Sequence, residues 1–146
     1  MNPISNNLVL ELHIPDFAKA REFYALFGFE QLSYTPKTGS RGLEYMILKR
    51  EDPLGRTLIN FYGNRPEVSQ HAHFKDYPVN TPKGYAVELT VPVTGVDKVW
   101  DSVKDKLAEE QIAQGLELKL WGQKDFRVVD PFGFYLRFTG PVDWGQ

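Results

Sequence analysis

The sequence predicts an α+β fold made of two βαβββ repeats. The first observation behind this is the tetrapeptide Asp130-Pro131-Phe132-Gly133, which joins two short β-type runs, Asp125–Val129 and Phe134–Thr139. The aspartate can bond its own backbone, proline presets φ and glycine accepts φ > 0, so the tetrapeptide is turn chemistry and the local expectation is a hairpin. The second is its echo: Asp52-Pro53-Leu54-Gly55 leads into another β-type run, Arg56–Tyr62, and Leu58 and Leu136 keep the spacing of the two turns. The third is a second pair of matching segments at nearly the same spacing, Leu10-Glu11-Leu12-His13-Ile14-Pro15 and Val87-Glu88-Leu89-Thr90-Val91-Pro92, behind which Phe23 falls on Trp100. Such self-similarity means one supersecondary unit used twice.

Each element has its own warrant. Leu8, Leu10, Leu12 and Ile14 alternate with Val9, Glu11 and His13, the period of a half-buried strand. Pro15 ends that strand and Asp16 can cap a helix over Phe17–Phe27, where Phe17, Ala20, Phe23, Tyr24 and Phe27 form one stripe before Gly28 stops it. Glu30–Thr35, Leu43–Lys49 and Arg56–Tyr62 complete the first repeat, about 7–63. Over 64–83 the periodicity fails and prolines recur at 66, 78 and 82, which marks a linker. The second repeat, about 84–140, opens with a strand at Tyr85–Val91. Thr94-Gly95-Val96-Asp97 then fits a capping box ahead of a helix striped by Val96, Val99, Trp100, Val103 and Leu107. Leu116–Leu120 and the final hairpin supply its last three strands.

Composition bounds the function. A chain of 146 residues, 42% hydrophobic and 25% charged, is expected to form a single globular domain with its own core. Seventeen basic against nineteen acidic residues leave a net charge of −2, so neither nucleic acid nor a membrane surface is an expected partner. The chain has no cysteine, which excludes disulfides and thiolate chemistry. MNPISNN has no signal-peptide pattern and no apolar run reaches membrane-spanning length, so the expected compartment is the cytoplasm.

The doubled order, the two DPxG turns, IPDFAKAREFYALFGF at the front and WGQKDFRVVDPFGFYLRF at the back resemble the vicinal oxygen chelate superfamily: glyoxalase I, extradiol dioxygenases, fosfomycin-resistance enzymes and bleomycin-resistance proteins. The last motif looks most like the bleomycin-resistance branch. The resemblance covers nearly the whole chain and implies a curved mixed-sheet cup with helices outside, and commonly a homodimer. In the enzymes of that superfamily four cup strands each supply a His or Glu to a divalent metal. The matching positions here are Val9, Ala86, Arg137 and Ile59, or Asn60 if the strand slips by one. None is an imidazole or a carboxylate, and an arginine repels a cation, so no metal or other cofactor is expected.

Strand parity places Val9, Glu11 and His13 inward, with Ala86, Glu88 and Thr90 as their repeat counterparts and Tyr135 and Arg137 beside them. The candidate ligand-binding residues are Glu11, His13, Tyr45, Phe61, Glu88, Trp121, Tyr135 and Arg137, and no catalytic residue is assigned. The two glutamates favour a cationic or hydrogen-bonding ligand, unless Arg137 pairs with Glu11 or Glu88 as a structural bridge. His13 titrates near neutrality and suits either a general base or a polar wall. Tyr45, Phe61 and Trp121 offer flat aromatic area for stacking, with core packing as the alternative for each. His71 and His73, in the linker, could share a metal but show no clear third ligand. The expected function is a metal-free small-molecule-binding protein of bleomycin-resistance type that sequesters an aromatic ligand, a cationic one by preference. The alternative is a metal-dependent lyase, dioxygenase or thiol transferase with Glu11, His13 and Glu88 as replacement donors. A cup plugged by its own side chains, in a protein that works through a partner, is the third option.

Overall fold

The computed structural model describes residues 8–36, 44–65, 71–78 and 80–143. The chain runs β1 (Glu11–Ile14), α1 (Phe17–Ala25), β2 (Glu30–Thr35), β3 (Glu44–Asp52) and β4 (Gly55–Gly63), then β5 (Glu88–Pro92), α2 (Val96–Val103), β6 (Ile112–Leu118), β7 (Lys124–Val129) and β8 (Tyr135–Thr139). The eight strands form two four-stranded mixed sheets, ordered β1-β4-β3-β2 and β5-β8-β7-β6. In each sheet the first strand of the repeat lies parallel to the last, and the other pairs are antiparallel. This is the two-repeat α+β architecture expected from the sequence. No helix among the described residues is long and apolar enough to cross a membrane.

Several boundaries move. β1 begins at Glu11 rather than Leu8, and β6 begins at Ile112, ahead of the expected Leu116. Tyr85 and Ala86 lie outside β5, with Ala86 in the left-handed region at φ 62°. Leu43 and the terminal Trp144 lie outside the described residues. Among the described residues of the linker a 3-10 turn forms at Phe74–Asp76.

α1 begins as its sequence suggests: the Asp16 carboxylate accepts the Lys19 N–H at 3.0 Å. It closes through Gly28, at φ 91°, which lets the Phe29 N–H return to the Tyr24 carbonyl at 3.1 Å. α2 begins differently. Its N-cap is Gly95, with no side-chain cap, so the expected capping box does not form. The Thr94 hydroxyl and N–H turn instead to the Asp52 carboxylate, at 2.7 and 2.9 Å.

The two DPxG aspartates thereby fasten the repeats to each other. Asp52, in the first repeat, holds the lead into α2, while Asp130, in the second, accepts the Tyr24 hydroxyl of α1 at 2.7 Å. Each carboxylate also ties its own turn, through Leu54 N–H and through Phe132 and Phe134 N–H, all at 2.9 Å. Between these clasps runs one core drawn from both repeats. Phe27, in the turn after α1, stacks on Phe138 at 4.6 Å and 11°, and Phe138 stacks on Phe126 at 5.1 Å. All three rings are buried, each worth about 1.5–3 kcal/mol relative to exposure.

The two turns are not the same length. β3 and β4 pair Asp52 directly with Gly55, whereas Asp130 N–H reaches the Phe134 carbonyl across one more residue. Leu136, fully buried, shares the core side of its sheet with the place of Ile59 and not with that of exposed Leu58. The opening strands are offset as well. Leu12 lies opposite Phe61, and the equivalent pair in the second sheet is Val91 opposite Phe138, so Leu12 corresponds to Val91 rather than Leu89. By the same register Glu11 corresponds to Thr90 and Val9 to Glu88, and the helix stripes align as Phe17 with Val96 and Tyr24 with Val103. The sequence match of Phe23 with Trp100 does not hold.

Candidate functional site

Each sheet packs one face on the core and leaves the other open. On the first sheet, strand alternation buries Leu12, Ile14, Met46, Leu48, Ile59 and Phe61 and turns Glu11, His13, Tyr45, Asn60 and Tyr62 to the open side. Phe61 is thus a core residue, packed on Tyr24 at 5.4 Å, and the sequence expectation of ligand contact fails for it. The reason is register: Asn60, next along β4, takes the outward place.

The open face of the first sheet has its own hydrogen-bond chain. Asn60 Nδ2 donates to the Tyr45 hydroxyl at 2.8 Å, and the Glu11 carboxylate lies near enough to act on the phenol. Burial raises the Tyr45 phenol above its ordinary value; the Asn60 bond opposes this and Glu11 adds to it. Tyr45 is therefore a donor at neutral pH. Glu11 is exposed, and among the described residues no basic side chain forms an ion pair with it.

His13 packs edge-on against Tyr62 at 4.7 Å, His71 at 4.8 Å and Phe74 at 5.5 Å. Burial, and then the neighbouring His71 and Lys83, lower its pKa, so its imidazole is neutral at pH 7. The linker thus lies against the first open face, a contact with no signal in the sequence. His71 Nδ1 accepts the His73 and Phe74 N–H groups at 3.0 and 3.1 Å, which fixes it as a capping acceptor. His73 turns toward Tyr77.

The second open face is built on β7 and β8. Asp125, fully buried, is its centre: Oδ2 accepts Arg137 Nε at 3.0 Å and faces Arg127 Nη2 at 3.5 Å, while Oδ1 accepts Gln114 Nε2 at 2.9 Å. Burial alone would raise this carboxyl; the bonds from Gln114, Arg127 and Arg137 outweigh it and hold it below the ordinary range. Arg137 therefore pairs with Asp125, and the expected bridge to Glu11 or Glu88 is replaced. Glu88 lies near the other arginine, 3.5 Å from Arg127 Nη1. The Tyr135 hydroxyl accepts from the same Arg127 nitrogen at 3.4 Å. Trp121 is exposed, with the Arg137 guanidinium 5.1 Å from its ring centre. Asp125 was missed from sequence, although alternation in β7 places it on the same side as Arg127.

The structural correspondence also corrects the positions at which the superfamily's enzymes hold metal. The positions that the resemblance matches to those ligands become Val9, Asn60, Glu88 and Arg137, with Glu88 replacing Ala86 and Asn60 replacing Ile59. This set offers one amide and one carboxylate, beside a guanidinium and an alkyl group, and the carboxylate already lies against Arg127. It does not fit a divalent ion. Nor do Glu11, His13 and Glu88 assemble: among the described residues no three His, Asp or Glu side chains come together to hold a metal.

The fold is that of the glyoxalase/bleomycin resistance protein/dioxygenase superfamily, with bleomycin-resistance proteins among its structural neighbours. A bleomycin resistance determinant encoded on the transposon Tn5 is similar at 18% identity and a TM-score of 0.60, covering 95% of this chain and 100% of that one. A bleomycin-binding protein in complex with bleomycin is similar at 18% identity and a TM-score of 0.57, covering 94% and 100%. A superfamily member from Sphaerobacter thermophilus is similar at 15% identity and a TM-score of 0.57, with the same coverage. No family model and no curated protein matches the sequence.

Proposed function

We propose that this chain is a metal-free small-molecule-binding protein of bleomycin-resistance type, which takes up an aromatic ligand on its open sheet faces. The observation that carries the reading is the chemistry of those faces. They present aromatic and charged side chains, Tyr45, Tyr62, Trp121 and Glu11 among them, on a fold whose usual metal positions hold no donor set. Aromatic rings supply apolar area at small entropic cost, and a carboxylate without a basic partner attracts a donor or a cation. The bleomycin-binding neighbour makes a bleomycin glycopeptide the first compound to titrate. Catalysis is not part of this reading, and the ligand sites lie where two copies of the chain would close the open faces.

The test is a titration of bleomycin followed by tryptophan fluorescence. Saturable quenching is expected, with Trp121→Ala weakening binding by about 1–3 kcal/mol as a stacked aromatic anchor does. Absence of binding by bleomycin and by simpler charged and neutral aromatics alike would overturn the reading.

A further inference from the structure

We infer that the open face of the second sheet is a carboxylate subsite, in which Arg137, flanked by Arg127, reads the acid group of an aromatic ligand beside Trp121. The inference rests on the small-molecule-binding reading and specifies the chemistry of what one face takes. Arg127 and Arg137 are register partners across β7 and β8, and their guanidinium groups rise from the same side of the sheet. Like charges placed directly opposite repel, so a pair held this way needs anions around it. Asp125 supplies one, buried beneath both groups. The second available carboxylate, Glu88, is 45% exposed and touches Arg127 only at 3.5 Å. It can swing into solvent when another anion arrives.

Donors are left over on both arginines. Each guanidinium carries five N–H bonds in a rigid plane. Arg137 uses its Nε on Asp125, and among the described residues neither of its Nη groups finds an acceptor. Arg127 Nε is buried and also unpartnered. The Arg137 side chain is only 12% exposed, which holds the free fork in one place, and Trp121 stands beside it as an aromatic wall. A flat carboxylate matches the Nη fork two oxygens to two nitrogens, and an attached ring can lie along the indole. Phosphate is the poorer fit, because its second charge would meet Asp125 at the base of the site.

The experiment is calorimetric titration of 2-naphthoate, 2-naphthamide and 2-naphthylmethylammonium into wild type, Arg137→Gln, Arg137→Lys, Trp121→Ala and Glu22→Gln. Wild type is expected to bind the naphthoate about tenfold or more tighter than the amide. Arg137→Gln should erase that preference, and Arg137→Lys should reduce it, having charge without a fork. Trp121→Ala should weaken the naphthoate and the amide together, and Glu22→Gln, exposed on α1 and away from both open faces, should change neither. Should Arg137→Gln fail to fold once Asp125 loses its partner, Arg137→Lys and Arg127→Gln carry the same comparison. Equal affinity for acid and amide, preference for the ammonium, or an acid preference that survives loss of the Arg137 fork would each overturn the inference. So would binding of bleomycin without binding of the naphthoate, an outcome that leaves the broader reading standing.

Discussion

Tyr24→Phe isolates the clasp between the repeats. The substitution removes one hydroxyl and keeps the ring, whose contacts with Phe23, Phe29 and Phe61 at 5.2–5.6 Å are apolar and survive. Asp130 retains its backbone donors on Oδ1, but among the described residues the Tyr24 hydroxyl is the only donor to Oδ2. A hydrogen bond to a charged group contributes about 1.5–3 kcal/mol, and leaving its buried partner unsatisfied adds to the loss. The expected destabilisation at pH 7 is therefore about 2–3 kcal/mol, or roughly 4–12 °C in Tm for a chain of this size. Burial raises the Asp130 carboxyl above its ordinary 3.8, against the hydrogen bonds from Tyr24 and the backbone. A raised folded pKa means that the cost of the buried charge is present above that value and vanishes as pH falls through it. Losing Tyr24 Oη raises it further, so the variant should recover part of its deficit in acid. Urea unfolding followed by tryptophan fluorescence, at pH 7 and at pH 4, measures both. A deficit under 0.5 kcal/mol at pH 7, or one that grows in acid, refutes the argument; the threshold is set by the scatter of ordinary surface substitutions, about 0.5 kcal/mol.

The partner clasp should titrate the opposite way. Burial alone would raise Asp52, but the bonds from Leu54, Thr94 and Arg50 prevail and hold it well below the ordinary range, so its contribution is present above pH 3.8 and is lost only as pH falls through the depressed value. Asp52→Asn should cost about 1–3 kcal/mol at pH 7, shrinking toward pH 2; a pH-independent deficit would contradict this. Phe61→Ala should cost about 3–5 kcal/mol in urea unfolding, as a core truncation does, and a near-neutral result would return Phe61 to the ligand face. Dialysis against Zn²⁺, Ni²⁺, Mn²⁺ or Fe²⁺ followed by elemental analysis should leave no stoichiometric ion, and one tight ion per chain lost in Glu11→Ala would restore the metal-enzyme alternative. Light scattering at micromolar concentration should give about twice 16.8 kDa, because two open faces and four edge strands call for a partner; a monomer would mean that each face works alone.

Repetition and alternation were legible in the sequence because they are local. The DPxG turns, the apolar period of β1 and the stripe of α1 follow from φ preferences and from which side of a strand or helix each residue occupies. They determined the βαβββ order, the doubled architecture and the outward place of Glu11, His13 and Arg137. Register between strands was not local. Pairing with β1 and β3 put Asn60 on the open face and Phe61 in the core, and a two-residue displacement in β5 put Glu88, not Ala86, opposite Val9 in the repeat. A single-residue slip exchanges the faces of a whole strand, so sequence offsets alone could not decide it. Partner choice was also left to tertiary structure. Thr94 looked like a helix cap and became a ligand of Asp52, and Arg137 looked like a partner of glutamate and found Asp125 on the adjacent strand. A hydroxyl or a guanidinium bonds whatever acceptor packing brings within about 3 Å, and that distance exists only once strands have paired, for Arg137, or the two repeats have closed on each other, for Thr94.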